Sequence, residues 1–192
     1  MLLNIPNLLS ILRILLVPLL VVVLLTKFEG KEFVGLGVFL LASLTDFLDG
    51  YIARKKQLVT RLGKFLDPTA DKILTSAAFI SLVELGLAPA WMVAVIIARE
   101  FAVSALRSVA ASDGVILAAI FSAKLKTTLQ IIAIALMIFY NQLGEFGRLA
   151  PLALWLAMLA SVYSGLEYFI RFGPVVFKIR PHSLPSSPVS EE

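Results

Sequence analysis

The sequence predicts an all-α protein: an integral membrane bundle of six transmembrane helices with a polar site facing the cytoplasm. Three observations lead there. Hydrophobic residues make up 59% of the 192 positions and charged residues only 16%, against about a quarter charged in soluble domains. Mean hydropathy is +0.94, more apolar surface than a water-facing fold of this size can hide. The apolar residues fall into six long runs, and lysine and arginine gather at alternate junctions between them.

The runs span roughly 7–26, 33–54, 63–86, 89–110, 124–140 and 150–171. Each is long enough, or nearly so, to cross a bilayer as a helix, and none shows the period-two alternation of a strand. A closed helical bundle also satisfies every backbone polar group in lipid. The first run is expected to be a retained helix and not a signal peptide: no basic segment precedes it, Arg13 lies inside it, and no small-x-small cleavage site follows. The second and third runs meet at a polar stretch, DFLDGYIARKKQLVTRLGKFLDPTADK. The fourth carries IIAREFAVSALR, and the fifth opens on SAKLKTTLQ. After the sixth, RPHSLPSSPVSEE is rich in proline and serine and is expected to be disordered, so that His182 is not a ligand. The domain reading is a six-helix bundle over 1–172 and a cytoplasmic tail over 173–192.

With the N-terminus in the cytoplasm, the inner side holds Arg54, Lys55, Lys56, Arg61, Lys64, Arg107, Lys124, Lys126, Arg171, Lys178 and Arg180, and the outer side only Lys27, Lys31 and Arg148. The positive-inside rule therefore places both termini and the polar stretch on the cytoplasmic face. The net charge of +4 fits basic loops against anionic lipid, with no nucleic-acid partner expected. Absence of cysteine excludes disulfides, thiolate metal sites and cysteine nucleophiles. Two stripes of small residues, Ala94, Ala98, Ala102 and Ala153, Ala157, Ser161, Gly165, suit close helix packing, within one bundle or across a dimer.

The polar stretch holds the chemistry. A charge near the bilayer centre costs about 2.5–3.5 kcal/mol even on lenient scales. Asp46 and Asp49 stand three apart, with Gly50 and Ala53 on the same helix side, and Asp67 and Asp71 stand four apart, with Gly63 one turn earlier. Clustered carboxylates repel unless a cation sits among them, and hard oxygen ligands suit Mg²⁺, Mn²⁺ or Ca²⁺. The small residues leave room for a bulky ligand, and Arg54, Lys55, Lys56 and Arg61 surround it with positive charge. The set suits a metal-bound, phosphate-bearing ligand at the membrane surface. Blander accounts exist singly: Asp67 before Pro68 fits a helix N-cap, Asp71 could pair with Lys64 or Lys72, and Asp46 and Asp49 with Arg54 or Lys56. None accounts for all four with the glycines.

The full spacing, Asp46-x2-Asp49-Gly50-x2-Ala53-Arg54-x8-Gly63-x3-Asp67-x3-Asp71, resembles the signature of the CDP-alcohol phosphotransferase family at every fixed position. The six-helix plan extends the resemblance over nearly the whole chain. It implies transfer of a phosphatidyl or similar group from a CDP-linked donor to an alcohol, with release of CMP. It further implies that Asp46, Asp49, Asp67 and Asp71 bind one or two divalent ions, Mg²⁺ or Mn²⁺, that hold the donor pyrophosphate, and that Asp71 is also the general base. Gly50, Ala53, Arg54, Thr60 and Gly63, with Asn7 and Ser10 of the first helix, would line the CDP-diacylglycerol site. The fourth and fifth runs resemble family members whose acceptor is sn-glycerol 3-phosphate. Arg107, Lys124 and Lys126 would bind the acceptor phosphate and phosphatidylglycerol phosphate would be the product, although Ala123 stands where a glycine is expected. Arg99 is as well explained by a buried ion pair as by substrate contact. The resemblance also implies a homodimer. Another acceptor (inositol phosphate, serine or phosphatidylglycerol) is the nearest alternative. A divalent-cation transporter is a more distant one, disfavoured by acids gathered at one face and by the lack of inverted repeats.

Overall fold

The computed structural model of the chain describes residues 5–56, 61–112, 114–115 and 120–177, with the side chains of 5–7, 46–56, 61–67 and 175–177 outside that description. Among the described residues there are six α-helices and no strand: α1 (Ile5–Leu25), α2 (Lys31–Lys56), α3 (Arg61–Glu84), α4 (Ala90–Ser112), α5 (Phe121–Ile138) and α6 (Leu149–Phe177), with two short 3₁₀ turns between α5 and α6. Each helix covers one of the six apolar runs, and its ends fall within a few residues of the expected ones except at α6, which runs on to Phe177. The chain turns at Gly30 (φ 77°) between α1 and α2 and at Gly86 (φ 69°) between α3 and α4, a left-handed backbone that glycine adopts without strain.

Pro68 lies inside α3, seven residues beyond the helix start at Arg61. An N-cap at Asp67 is therefore ruled out. The helix tolerates the proline at the loss of one ladder hydrogen bond beside that aspartate.

Most packing is carried by α1 against α2 and α3, and by α6 against α4 and α5. The principal apolar core joins Leu20 and Leu24 of α1, Phe39 of α2, Phe79 and Leu82 of α3, Met92 and Ile96 of α4, Ile134 and Met137 of α5 and Leu154 of α6. These residues come from one end of the bundle, and the other end carries most of the buried polar groups. Ser10, Arg13, Thr45, Thr75, Glu100, Lys126, Gln130 and Ser164 are all buried there. Sequence position explains the division: the apolar ends of all six helices meet at one end, and the polar ends meet at the other.

The outer surface is apolar. Leu15, Val22, Phe33, Ile80, Phe101, Phe121 and Ile170 are among many large hydrophobic side chains left exposed. Such a surface is unstable in water and ordinary in lipid. Three segments of the described chain are long and apolar enough to cross a membrane by length and composition: Leu8–Leu25, Phe121–Ile138 and Gly144–Pro174. Trp91 and Trp155 meet edge-on, centroids 5.6 Å apart, at the end remote from the polar groups. Interfacial tryptophans commonly mark such a level.

Of the two small-residue stripes, one is internal. Ala153, Ala157, Ser161 and Gly165 are buried against neighbouring helices, and the side chain of Arg99 lies across Gly165. Ala94, Ala98 and Ala102 are exposed.

Candidate active site

The C-terminal half of α2 and the N-terminal half of α3 carry the four aspartates. Asp46 and Asp49 occupy one side of α2 by register, with Gly50 and Ala53; Asp67 and Asp71 stand one turn apart on α3, with Gly63 one turn before. The side chains of Asp46, Asp49, Ala53, Arg54, Asp67 and Asn7, the surroundings of Gly50 and Gly63, and all of Thr60 lie outside the described residues. Asp71 is described. It lines a cavity of about 160 Å³ with Lys72, Arg99, Glu100, Arg107, Lys126, Thr127 and Tyr168. The cavity is bounded by the polar halves of α3, α4, α5 and α6, so two carboxylates and four cations converge in one recess.

The two lysines of α5 separate. Lys126 is buried and lines the cavity, whereas Lys124 is exposed and does not. Two residues along a helix turn by about 200°, so one of the pair faces inward and the other faces away. Gln130, one turn beyond Lys126, is buried on the same side. Arg107 is an exposed residue of α4 that reaches the cavity wall. Lys72, expected from the sequence only as a partner for Asp71, is half-buried and lines the cavity too. Its inward position follows from Lys72, Ser76 and Ile80 sharing one side of α3, all three lining a larger groove of about 640 Å³ between α3 and α4. Pro68, Lys72, Ser104 and Arg107 line both spaces, so the small polar cavity adjoins the larger apolar groove.

A hydrogen-bonded ion network forms the inner wall. One oxygen of Glu100, Oε1, accepts from Lys126 Nζ, from Arg99 Nη1 at 3.2 Å and from Gln130 Nε2 at 3.4 Å. Arg99 Nη2 donates to Ser164 Oγ at 2.8 Å, the hydroxyls of Ser164 and Ser122 stand 3.3 Å apart, and Ser122 Oγ donates to Glu167 Oε2 at 2.5 Å. Adjacent helix positions point about 100° apart, yet Arg99 and Glu100 do meet, because the long guanidinium arm folds back across Gly165. With side-chain exposures of 10%, 11% and 7% for Arg99, Glu100 and Lys126, the network is largely removed from solvent. Charged groups in that position are stable only when paired and hydrogen-bonded.

On α1, Ser10 and Arg13 are fully buried, and Arg13 Nε donates to the carbonyl of Ala42 at 3.2 Å. Ala42 lies one turn before Asp46, so α1 anchors α2 at the start of its acidic half. Ser10 does not line the Asp71 cavity. Among the described residues no three acidic, histidine or cysteine side chains come together, three of the four aspartate side chains being outside that set. The chemistry of the donors still suits a hard divalent ion: four carboxylates, no sulfur or imidazole, at one-turn spacing on two consecutive helices.

The fold and the site together define a helical protein with the composition of a membrane protein, its acids and buried cations gathered at one end. The chain belongs to the CDP-alcohol phosphatidyltransferase family, whose pattern matches residues 3–163. It is 47% identical over 183 residues, 88% of this chain and 94% of the relative, to the CDP-diacylglycerol–glycerol-3-phosphate 3-phosphatidyltransferase of Bacillus subtilis. It is 38% identical over 173 residues to the protein of the same name from Rickettsia typhi, covering 86% of this chain and 95% of that one. A probable phosphatidylglycerophosphate synthase of Mycobacterium tuberculosis is 36% identical over 174 residues, 88% of this chain and 81% of the relative.

Proposed function

We propose that this protein transfers the phosphatidyl group of CDP-diacylglycerol to sn-glycerol 3-phosphate, giving phosphatidylglycerol phosphate and CMP. The observation that carries the proposal is the convergence of Asp71 with Lys72, Arg107 and Lys126 in one small cavity. A base and several cations side by side suit an acceptor that brings both a hydroxyl and a phosphate. The relatives' names point to the same acceptor.

In this reading the acceptor phosphate lies against Arg107, Lys126 and Lys72, and the acceptor hydroxyl faces Asp71. The hydroxyl oxygen forms a bond to the phosphatidyl phosphorus as the bond from that phosphorus to the CMP oxygen breaks, and Asp71 takes the hydroxyl proton. Asp46, Asp49, Asp67 and Asp71 would hold one or two divalent ions, Mg²⁺ or Mn²⁺. When bound, the metal supplies charge neutralisation at the pyrophosphate and at the departing CMP. Gly50, Ala53 and Gly63 leave room for the donor, and Arg54, Thr60, Asn7 and Ser10 contact its nucleotide end. Holding base and phosphate site within one recess positions the acceptor for attack and supplies much of the rate. Lys124, exposed on the far side of α5, adds to the local positive field without touching substrate.

The cavity lies at the end of the bundle whose flanks are rich in lysine and arginine. We therefore place it at the cytoplasmic face, with both termini inside, residues 1–172 forming the catalytic bundle and 173–192 a tail. A homodimer remains part of the reading on family resemblance alone.

The test is a pair of Michaelis constants. Arg107→Ala and Lys126→Ala should raise the KM for glycerol 3-phosphate about tenfold or more, the cost of a lost charged hydrogen bond, and leave that for CDP-diacylglycerol within about twofold. Equal increases for both substrates would reject acceptor binding in this cavity.

A further inference from the structure

Glu100 is an anomaly in the proposed site. A carboxylate in the wall of a phosphate-binding cavity repels the ligand unless its own charge is engaged. Here a single oxygen accepts from Lys126, Arg99 and Gln130. With Glu100 so engaged, the cavity lining sets Lys72, Arg99, Arg107 and Lys126 against Asp71 and Glu100, a surplus of positive charge.

A role confined to joining α4 to α5 accounts for this poorly. A buried ion pair contributes little compared with apolar side chains of the same shape, and the neighbouring residues Val103, Leu106 and Ala110 pack in that apolar manner. The arrangement makes better sense from the side of the lysine. A lysine ammonium sits on a flexible four-carbon stem with about 2 kcal/mol of rotamer entropy, and a long cationic side chain near a membrane boundary tends to snorkel toward water. Lys126 does neither: it is buried, its ammonium held against Glu100. Arg99 is fixed at both ends of its guanidinium, by Glu100 and by Ser164.

We infer that Glu100 is a positioning residue for the acceptor: its buried carboxylate holds the Lys126 ammonium and the Arg99 guanidinium in the cavity wall, so that a phosphate ester meets preorganised cations. This rests on the reading of the cavity as the acceptor site. Glu100 itself touches neither the reacting phosphorus nor the attacking hydroxyl. Its action is on affinity for the anionic acceptor, through Lys126.

The experiment uses full-length protein purified in detergent, with steady-state kinetics in both substrates and thermal unfolding of each variant. Glu100→Gln keeps shape and an acceptor oxygen but removes the charge. It should raise the KM for glycerol 3-phosphate about tenfold, equivalent to about 1.4 kcal/mol, with the KM for CDP-diacylglycerol within about twofold. Glu100→Asp keeps the charge but withdraws it by one methylene, and should give a smaller increase in the same constant alone. Lys126→Ala tests the underlying reading. If Lys126→Ala leaves the acceptor KM unchanged, the acceptor site is misplaced and the inference falls with it. If Lys126→Ala raises that KM while Glu100→Gln or Glu100→Asp lowers only kcat or only the unfolding temperature, the site stands and the positioning role is wrong. Should Glu100→Gln fail to fold, Glu100→Asp decides: a selective increase in the acceptor KM supports the role, and an unchanged ratio of the two constants overturns it.

Discussion

Gly165 on α6 is where the ion network meets its packing constraint. A Cβ built there would lie 2.8 Å from Arg99 Cγ and 3.4 Å from its Nε, whereas carbon atoms rest in contact at about 3.5–4.0 Å. Arg99 has little room to give way, since its guanidinium is tied to Glu100 at 3.2 Å and to Ser164 at 2.8 Å. Gly165→Ala must therefore shift the arm and weaken at least one of these bonds. A hydrogen bond to a charged group contributes about 1.5–3 kcal/mol, and overpacking adds about 1–3 kcal/mol. Better helix propensity of alanine returns roughly 1 kcal/mol. The net expectation is a loss of about 1.5–5 kcal/mol by these figures. Gly37→Ala is the control: it lies in α2, and nothing stands within 4 Å of its added Cβ. Thermal unfolding in detergent should place Gly165→Ala several degrees below wild type and Gly37→Ala at or above it. A Gly165→Ala protein as stable as Gly37→Ala would refute the view that Arg99 is rigidly held in this wall.

Two further outcomes follow from the site and its orientation. Asp71→Asn should retain binding of CDP-diacylglycerol, measured by equilibrium titration, yet lose turnover by about 10²-fold or more, the usual contribution of a general base; near-normal turnover of the purified variant would remove Asp71 from that role. The chain has no cysteine, so one introduced thiol reports sidedness without ambiguity. Ser112→Cys, exposed at the end of α4, should react with a membrane-impermeant maleimide only from the cytoplasmic side, and Glu145→Cys, exposed between α5 and α6, only from the other. The reverse pattern would invert the proposed topology.

Much of the helical plan was legible because membrane helices write their length directly into hydropathy, and turns at Gly30 and Gly86 punctuate the runs. The same signal fails at helix ends, where polar residues continue the helix: α2 runs on through the basic residues to Lys56 and α3 begins at Arg61, ahead of its proline. In the site, the spacing of the aspartates pointed to the family that residues 3–163 match, and the register of α5 contained the distinction between Lys124 and Lys126. Only the second shares a helix side with Gln130. What spacing could not supply was contact between helices. Glu100 and Ser164 are 64 positions apart in sequence and meet through Arg99 because α4 packs on α6. Lys72 enters the cavity because α3 turns that side toward α4. Neither relation is written in local periodicity.

The central claim is a reaction, and CMP release tests it most directly. Detergent-purified protein is given CDP-diacylglycerol with Mg²⁺ or Mn²⁺ and either glycerol 3-phosphate, inositol phosphate, serine or phosphatidylglycerol. The account predicts CMP release only with glycerol 3-phosphate, abolished by a chelator and restored by added metal. Release with a different alcohol would contradict the assignment of the cationic cavity, and no release with any acceptor from folded protein would contradict the enzyme itself.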